Sequence, residues 1–278
     1  MIKRNKLKEI ANDAPNRRRF LSKIGLASAA VSGTLLTSPT ANAQAITDVD
    51  ILQFALNLEY LEAEFYTVAT TGQTIAQLGV PITGSGTPGP TTGGNLVNLS
   101  NTLVFTRDVA MEIGADERAH VIYLRNALQS FGVMPIAKPA IDLNALGIGF
   151  NGQNEFLTLA RAFEDVGVTA YGGAAPLIQD KMVLGVAARI LAAEAEHVGN
   201  IRLQVARLRV PTMALDGVDI LPPPSGMRFI SVDSNALTAV RTPGQVLYIV
   251  YGSKANVTAG GFFPNGVNGN LRMSSTPA

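Results

Sequence analysis

Asp116-Glu117-Arg118-Ala119-His120 and Ala193-Glu194-Ala195-Glu196-His197 carry the only two histidines of this chain, and each has a glutamate three residues before it. On an α-helix, residues three apart share a face with Cβ atoms ~5–6 Å apart, so each Glu and His can grip one ion together. With ten glutamates among 278 residues, a Glu falls at a given offset about 4% of the time by chance, and at both offsets about once in a thousand. A lone histidine on an apolar helix is ordinarily a packed or surface side chain. The repetition outweighs that reading.

The flanking sequence supports helices. Apolar residues recur at three and four, without an interrupting proline, over roughly 47–70, 99–130, 153–177 and 180–208. Residues 71–98, with the run GSGTPGPTTGG, resist regular structure and predict a flexible excursion. Residues 131–152 contain Pro135 and Pro139 and are long enough to cross the length of a bundle. The third connection is nearly absent, so helices three and four form an antiparallel hairpin. These features predict an all-α, four-helix bundle (44–210) with a long central crossover. Beyond Val210, prolines and short β-branched stretches at 228–232 and 245–251 predict a small irregular, β-rich extension (211–278) packed on the bundle. Its Gly260-Gly261-Phe262-Phe263-Pro264 segment is expected to dock phenylalanines on the bundle.

Helices one and three match each other. Leu58-Glu59-Tyr60-Leu61-Glu62-Ala63-Glu64-Phe65-Tyr66 and Phe163-Glu164-Asp165-Val166-Gly167-Val168-Thr169-Ala170-Tyr171 each place a Tyr seven residues after a Glu, almost two turns on along one stripe. The chain thus reads Glu then Glu-x-x-His, twice. Four buried carboxylates would cost several kcal/mol each if unpaired. Two divalent cations neutralise them, and carboxylate oxygens with two imidazoles suit Fe or Mn, while affinity order alone does not select these over zinc.

Composition narrows the alternatives. There is no cysteine, which excludes disulfides, thiolate metal sites and cysteine nucleophiles. Eight of the 22 basic residues lie in the first 43, against two acidic ones, which leaves 14 basic and 19 acidic residues and a body of net charge about −5. A mildly acidic body without a basic stripe argues against nucleic acid as a partner. The leader itself, Asn16-Arg17-Arg18-Arg19-Phe20-Leu21-Ser22-Lys23, resembles a twin-arginine export signal. The apolar run behind it is too short for a hydrocarbon core that needs ~20 residues. Ala41-Asn42-Ala43 predicts cleavage before Gln44, hence a periplasmic or extracellular protein without a transmembrane anchor once the signal is removed.

LEYLEAEFY, DERAH, FEDVGVTAY, AEAEH and the tail's GGFFPNG together resemble the ferritin-like family that includes plant desiccation-related proteins and exported bacterial relatives. The resemblance covers about 48–208 and implies a ferritin-like bundle with a dinuclear Fe or Mn centre, the ligand arrangement of ferritin-like di-iron and di-manganese proteins. It places metal ligands at Glu59 or Glu62, Glu117, His120, Glu164, Glu194 and His197. Comparison with helix three favours Glu59, because Glu62 aligns with Gly167 and becomes an additional ligand or a supporting carboxylate. Tyr66, Tyr171 and Tyr123 are candidates to hydrogen-bond ligands, while Asp116, Asp165 and Glu196 point elsewhere, into solvent or toward a histidine N–H. Partners are metal ions and small oxygen species; a homo-oligomer stays open. Two function classes follow: a dimetal oxidoreductase acting on Fe(II) or peroxide, or a non-catalytic stress-protective protein braced by its metals.

Overall fold

The computed structural model describes residues 46–278; the leader reading lies outside them. Helix α1 (Asp48–Thr71) begins at Thr47, whose hydroxyl accepts from Asp50 N–H while the Asp50 carboxylate accepts from Thr47 N–H. It ends where Gly72 turns left-handed at φ 71° and its N–H closes on the Val68 carbonyl, a conformation that favours glycine. Almost every residue between is buried, so α1 is the central helix and not an amphipathic one. α2 spans Thr106–Ser130 and begins seven residues later than the apolar periodicity predicts. The reason is local: the Asn101 side chain folds back to accept from the N–H groups of Arg107 and Asp108, capping the helix from the preceding turn.

α3 (Gln153–Ala174) passes through one 3₁₀ turn (Ala175–Leu177) into α4 (Lys181–Arg207), which Asp180 caps through Met182 and Val183 N–H. α1 packs chiefly on α2 and α3 on α4, while α1 also meets α3 and α2 meets α4. This is the expected all-α bundle of two hairpins joined by the crossover at 131–152. Among the described residues no helix is long and apolar enough to cross a membrane.

The glycine-rich excursion is tied down along its length. Its Thr91–Thr92 strand (β1) pairs in parallel with Ile141–Asp142 (β2) of the crossover. The buried Lys138 ammonium donates to the Gly89 carbonyl and the Thr91 hydroxyl, 3.8 Å from Glu64. Gly89 lies so close to the crossover that a Cβ there would sit 2.4 Å from Ala140 N, which is why the excursion needs glycine at this point. Glu64, the third acid of LEYLEAEFY, accepts from Ile75 N–H and the Thr91 hydroxyl, so it serves the loop and not the bundle centre.

The strands predicted at 228–232 and 245–251 do not form. The second stretch is helix α5 (Pro243–Val250), opened by a Thr242–Gln245 capping box with proline in its first turn. Those start signals override the β preference of a Val-Leu-Tyr-Ile-Val run. At 228–232 the backbone is spent otherwise: the carbonyls of Arg228 and Phe229 accept from the Arg202 guanidinium. Phe262 and Phe263 are buried, with Phe262 edge-on to Phe163 at 5.1 Å. Asn268 exchanges two hydrogen bonds with Asn57 of α1.

Candidate metal centre

Glu59 on α1, Glu117 and His120 on α2, Glu164 on α3, and Glu194 and His197 on α4 converge in the middle of the bundle. Four of the carboxylates are essentially inaccessible and His197 is 7% exposed. Ligand-capable atoms of Glu59, Glu117, His120 and Glu194 lie within 4.8 Å of one another, and so do those of Glu117, Glu164, Glu194 and His197. Glu117 and Glu194 belong to both groups. Two ions placed in them would therefore share two carboxylates, whereas the sequence repeat by itself assigns each helix pair its own half.

The arrangement is close to two-fold symmetric. The Tyr66 hydroxyl of α1 donates to Glu164 of α3, and the Tyr171 hydroxyl of α3 donates to Glu59 of α1, each at 2.5 Å. Because the earlier residue of one helix meets the later residue of the other, the two contacts also fix α1 and α3 as antiparallel. His120 Nδ1 lies 3.2 Å from Glu59 and 3.5 Å from both Glu117 and Glu194; His197 Nδ1 lies 3.2 Å from Glu117 and 3.3 Å from Glu164. Each ring thus turns Nδ1 to the carboxylates. On its other edge His197 Nε2–H donates to Asp116 at 3.3 Å, a carboxylate that fixes ring orientation and raises the basicity of Nδ1.

Several of these atoms lack partners. Both carboxylate oxygens of Glu117 and of Glu194, one of Glu164, and His197 Nδ1 are buried without a hydrogen bond within the protein, His197 Nδ1 being near carboxylates but poorly aligned with them. Buried polar atoms left unpaired are costly, and here they all face one small volume. A pair of divalent cations would satisfy that set with the oxygen and nitrogen donors iron and manganese take.

The electrostatics agree. Burial works against charge on the imidazoles, yet the carboxylates beside them win, and His120 rises to about 10 and His197 to about 11. Burial, then the Glu59 charge, lifts Glu117 to about 7. Burial and neighbouring carboxylates, Glu117 first, push Glu62 and Glu194 well above the ordinary range. Glu59 goes the other way, because its contacts with His120 outweigh burial. Without cations the cluster holds protons instead.

A pH dependence follows for the metal-free protein. His120 and His197 bind more protons folded than unfolded between 6.5 and about 10–11, so their contribution is complete below 6.5 and lost as pH rises through that window. Glu117 acts in the same direction between 4.5 and about 7. Chelator-treated protein should lose melting temperature steadily from pH 6 toward pH 10 by calorimetry, on the order of several degrees. Added metal, which competes with those protons, should restore more stability at the alkaline end. A flat profile for the stripped protein would contradict the proton-loaded cluster.

Glu62 is buried but belongs to neither group of four. Its carboxyl faces Gly167, where a Cβ would stand 3.3 Å from Glu62 Oε1 and 2.8 Å from Glu194 Oε2. Gly167 thus leaves room for a fifth carboxylate beside the cluster. Tyr66 and Tyr171 reach the carboxylates, but Tyr123 does not: it is 47% exposed on the outer turn of α2. Sequence position alone could not separate these tyrosines, since only the neighbouring helix decides which turn is covered. Asp165, expected in solvent or beside a histidine, is instead buried between Arg161 and Arg202.

Residues 47–207, more than half of the chain, match the ferritin-like domain family. The chain belongs to that family. Among similar proteins, a ferritin-like catalase, Nec2, from Nesocodon mauritianus is 24% identical over 273 residues, covering 81% of this chain and 84% of that protein. The desiccation-related protein PCC13-62 of Craterostigma plantagineum is 31% identical over 172 residues, which is 56% of this chain and about half, 52%, of the relative. The ferritin-like match ends where α4 does, so the tail that buries Phe262 and Phe263 lies outside it.

Proposed function

We propose that this ferritin-like protein holds two iron or manganese ions between Glu59, Glu117, His120, Glu164, Glu194 and His197, with Glu117 and Glu194 shared, and that it disproportionates hydrogen peroxide. The observation that carries the reading is the set of six unpaired, buried ligand atoms facing one volume. A pair of redox-active ions would supply a two-electron couple, which matches two molecules of peroxide yielding two of water and one of dioxygen, one peroxide reduced and the other oxidised. Tyr66 and Tyr171 hold Glu164 and Glu59 in place, Asp116 holds the His197 ring, and the bundle excludes bulk water from the carboxylates. The similarity to a relative named a catalase supports peroxide as substrate. Fe(II) oxidation by the same ions is the neighbouring reaction in that class. We further propose export by the twin-arginine leader, which suits a protein that folds around its metal before crossing a membrane.

The desiccation-related relative favours a second reading, in which the ions only brace the bundle. Elemental analysis of the natively expressed mature chain, with an oxygen electrode, separates the two. About two Fe or Mn per chain with dioxygen release from peroxide is the expected result. Metal without turnover of peroxide or Fe(II) would leave the protective reading. Folded protein without metal would overturn the site.

A further inference from the structure

The Glu-x-x-His repeat aligns α2 with α4, Glu117 on Glu194 and His120 on His197. The same alignment sets Asp116 against Ala193 and Glu112 against Arg189, so the two halves that are alike at the carboxylates differ in charge at these two positions outside them. Around His197 the flank is acidic, and Asp116 occupies the outer ring nitrogen at 3.3 Å. Around His120 the equivalent of Asp116 is a methyl group. In place of a carboxylate there is a half-open cavity of about 270 Å³ between α2 and α4, lined by Ala119, His120 and Tyr123 of α2 and by Val186, Arg189, Ile190 and Ala193 of α4. His120, which lines this cavity, turns Nδ1 to the carboxylates, and its Nε2 has no hydrogen-bond partner among the described residues. Arg189 has no carboxylate within ion-pair distance among the described residues.

The polar groups at hand are thus an imidazole N–H, a guanidinium and a phenol, and no lining side chain is acidic. Such a set donates hydrogen bonds and carries positive charge, which selects anions over cations and neutral acceptors. We propose that this cavity is a binding site for a small oxyanion of the size of formate or acetate, held between Arg189 and His120. The volume admits a few heavy atoms with water, and position 193, the counterpart of Asp116, places an alanine in its lining. The proposal goes beyond the metal reading and does not require it, since every group it uses belongs to the chain.

Calorimetric titration of the mature protein with sodium formate at constant ionic strength tests it, because long-range attraction to a surface arginine would be screened by salt. The expected result is saturable one-site binding, weakened about tenfold in Arg189→Gln, the size of one charge-assisted contact. Ala193→Asp should abolish it by giving His120 Nε2–H the partner that His197 already has, with circular dichroism and metal content unchanged. Tyr123→Phe should weaken it less than either. Formate binding that is absent from the wild type, or that survives both Arg189→Gln and Ala193→Asp undiminished, would overturn the proposal. Metal analysis on the same samples keeps the two readings apart. Saturable formate binding by a chain that takes up no metal upholds this site and removes the metal centre; bound metal without formate binding does the reverse.

Discussion

Glu117→Ala is expected to empty the whole centre, whereas Glu59→Ala should leave about one ion per chain, because a lost shared carboxylate weakens both ligand groups and a lost terminal one weakens a single group. Glu117 is fully buried, lies 3.5 Å from His120 Nδ1 and 3.2 Å from His197 Nδ1, and is common to both groups of four. Glu59 touches only the His120 half and the Tyr171 hydroxyl. The measurement is elemental analysis after dialysis, with thermal unfolding in parallel to show that both variants fold. Equal losses in the two variants would contradict sharing and would return the site to two separate halves, one per helix pair.

Asp165→Ala should destabilise the fold by about 3–5 kcal/mol, the cost of leaving the buried Arg202 cation without the carboxylate it pairs with, while Arg161 keeps Asp219. Asp165 accepts from Arg202 at 2.8 Å and Arg161 at 3.4 Å, and both arginines are among the most buried large side chains of the protein. Burial lifts the Asp165 carboxyl above its ordinary value even beside Arg202 and Arg161, so the network is expensive and all its members are needed. The arginines go on to the tail: Arg161 to Asp219 and the Met213 carbonyl, Arg202 to the carbonyls of Ile220, Arg228 and Phe229. Removing Asp165 therefore also loosens the attachment of the segment after α4. Urea unfolding gives the magnitude, and earlier proteolysis within 211–240 gives the location. A loss below about 1 kcal/mol, the range of exposed ion pairs, would show that the arginines are hydrated and the network is not structural.

The four helices and the histidine pairs could be read without coordinates because both depend on short-range geometry. Apolar spacing of three and four defines each helix, and a Glu three residues before a His shares its face whatever else the chain does. The match of LEYLEAEFY with FEDVGVTAY similarly placed Glu59 and Glu164 on corresponding stripes, and Gly167 opposite Glu62. The tail was less legible. A Thr-Pro-x-Gln start outweighed a β-branched run at 243–250, and the backbone at 228–232 was claimed by the distant Arg202.

What the sequence by itself determined is the helical register of each candidate ligand and the repeat that pairs them, since rotation about a helix axis is fixed by position along it. What only the tertiary structure decided is which partner arrives from another helix. Asp116 and Asp165 each sit beside a candidate ligand in the sequence, yet one meets a histidine ring and the other two arginines. Tyr66 and Tyr171 reach carboxylates across the bundle while Tyr123, one turn beyond His120, stays half exposed. Glu117 and Glu194 become common to both halves because each comes within reach of the histidine on the other helix, Glu117 at 3.2 Å from His197 and Glu194 at 3.5 Å from His120.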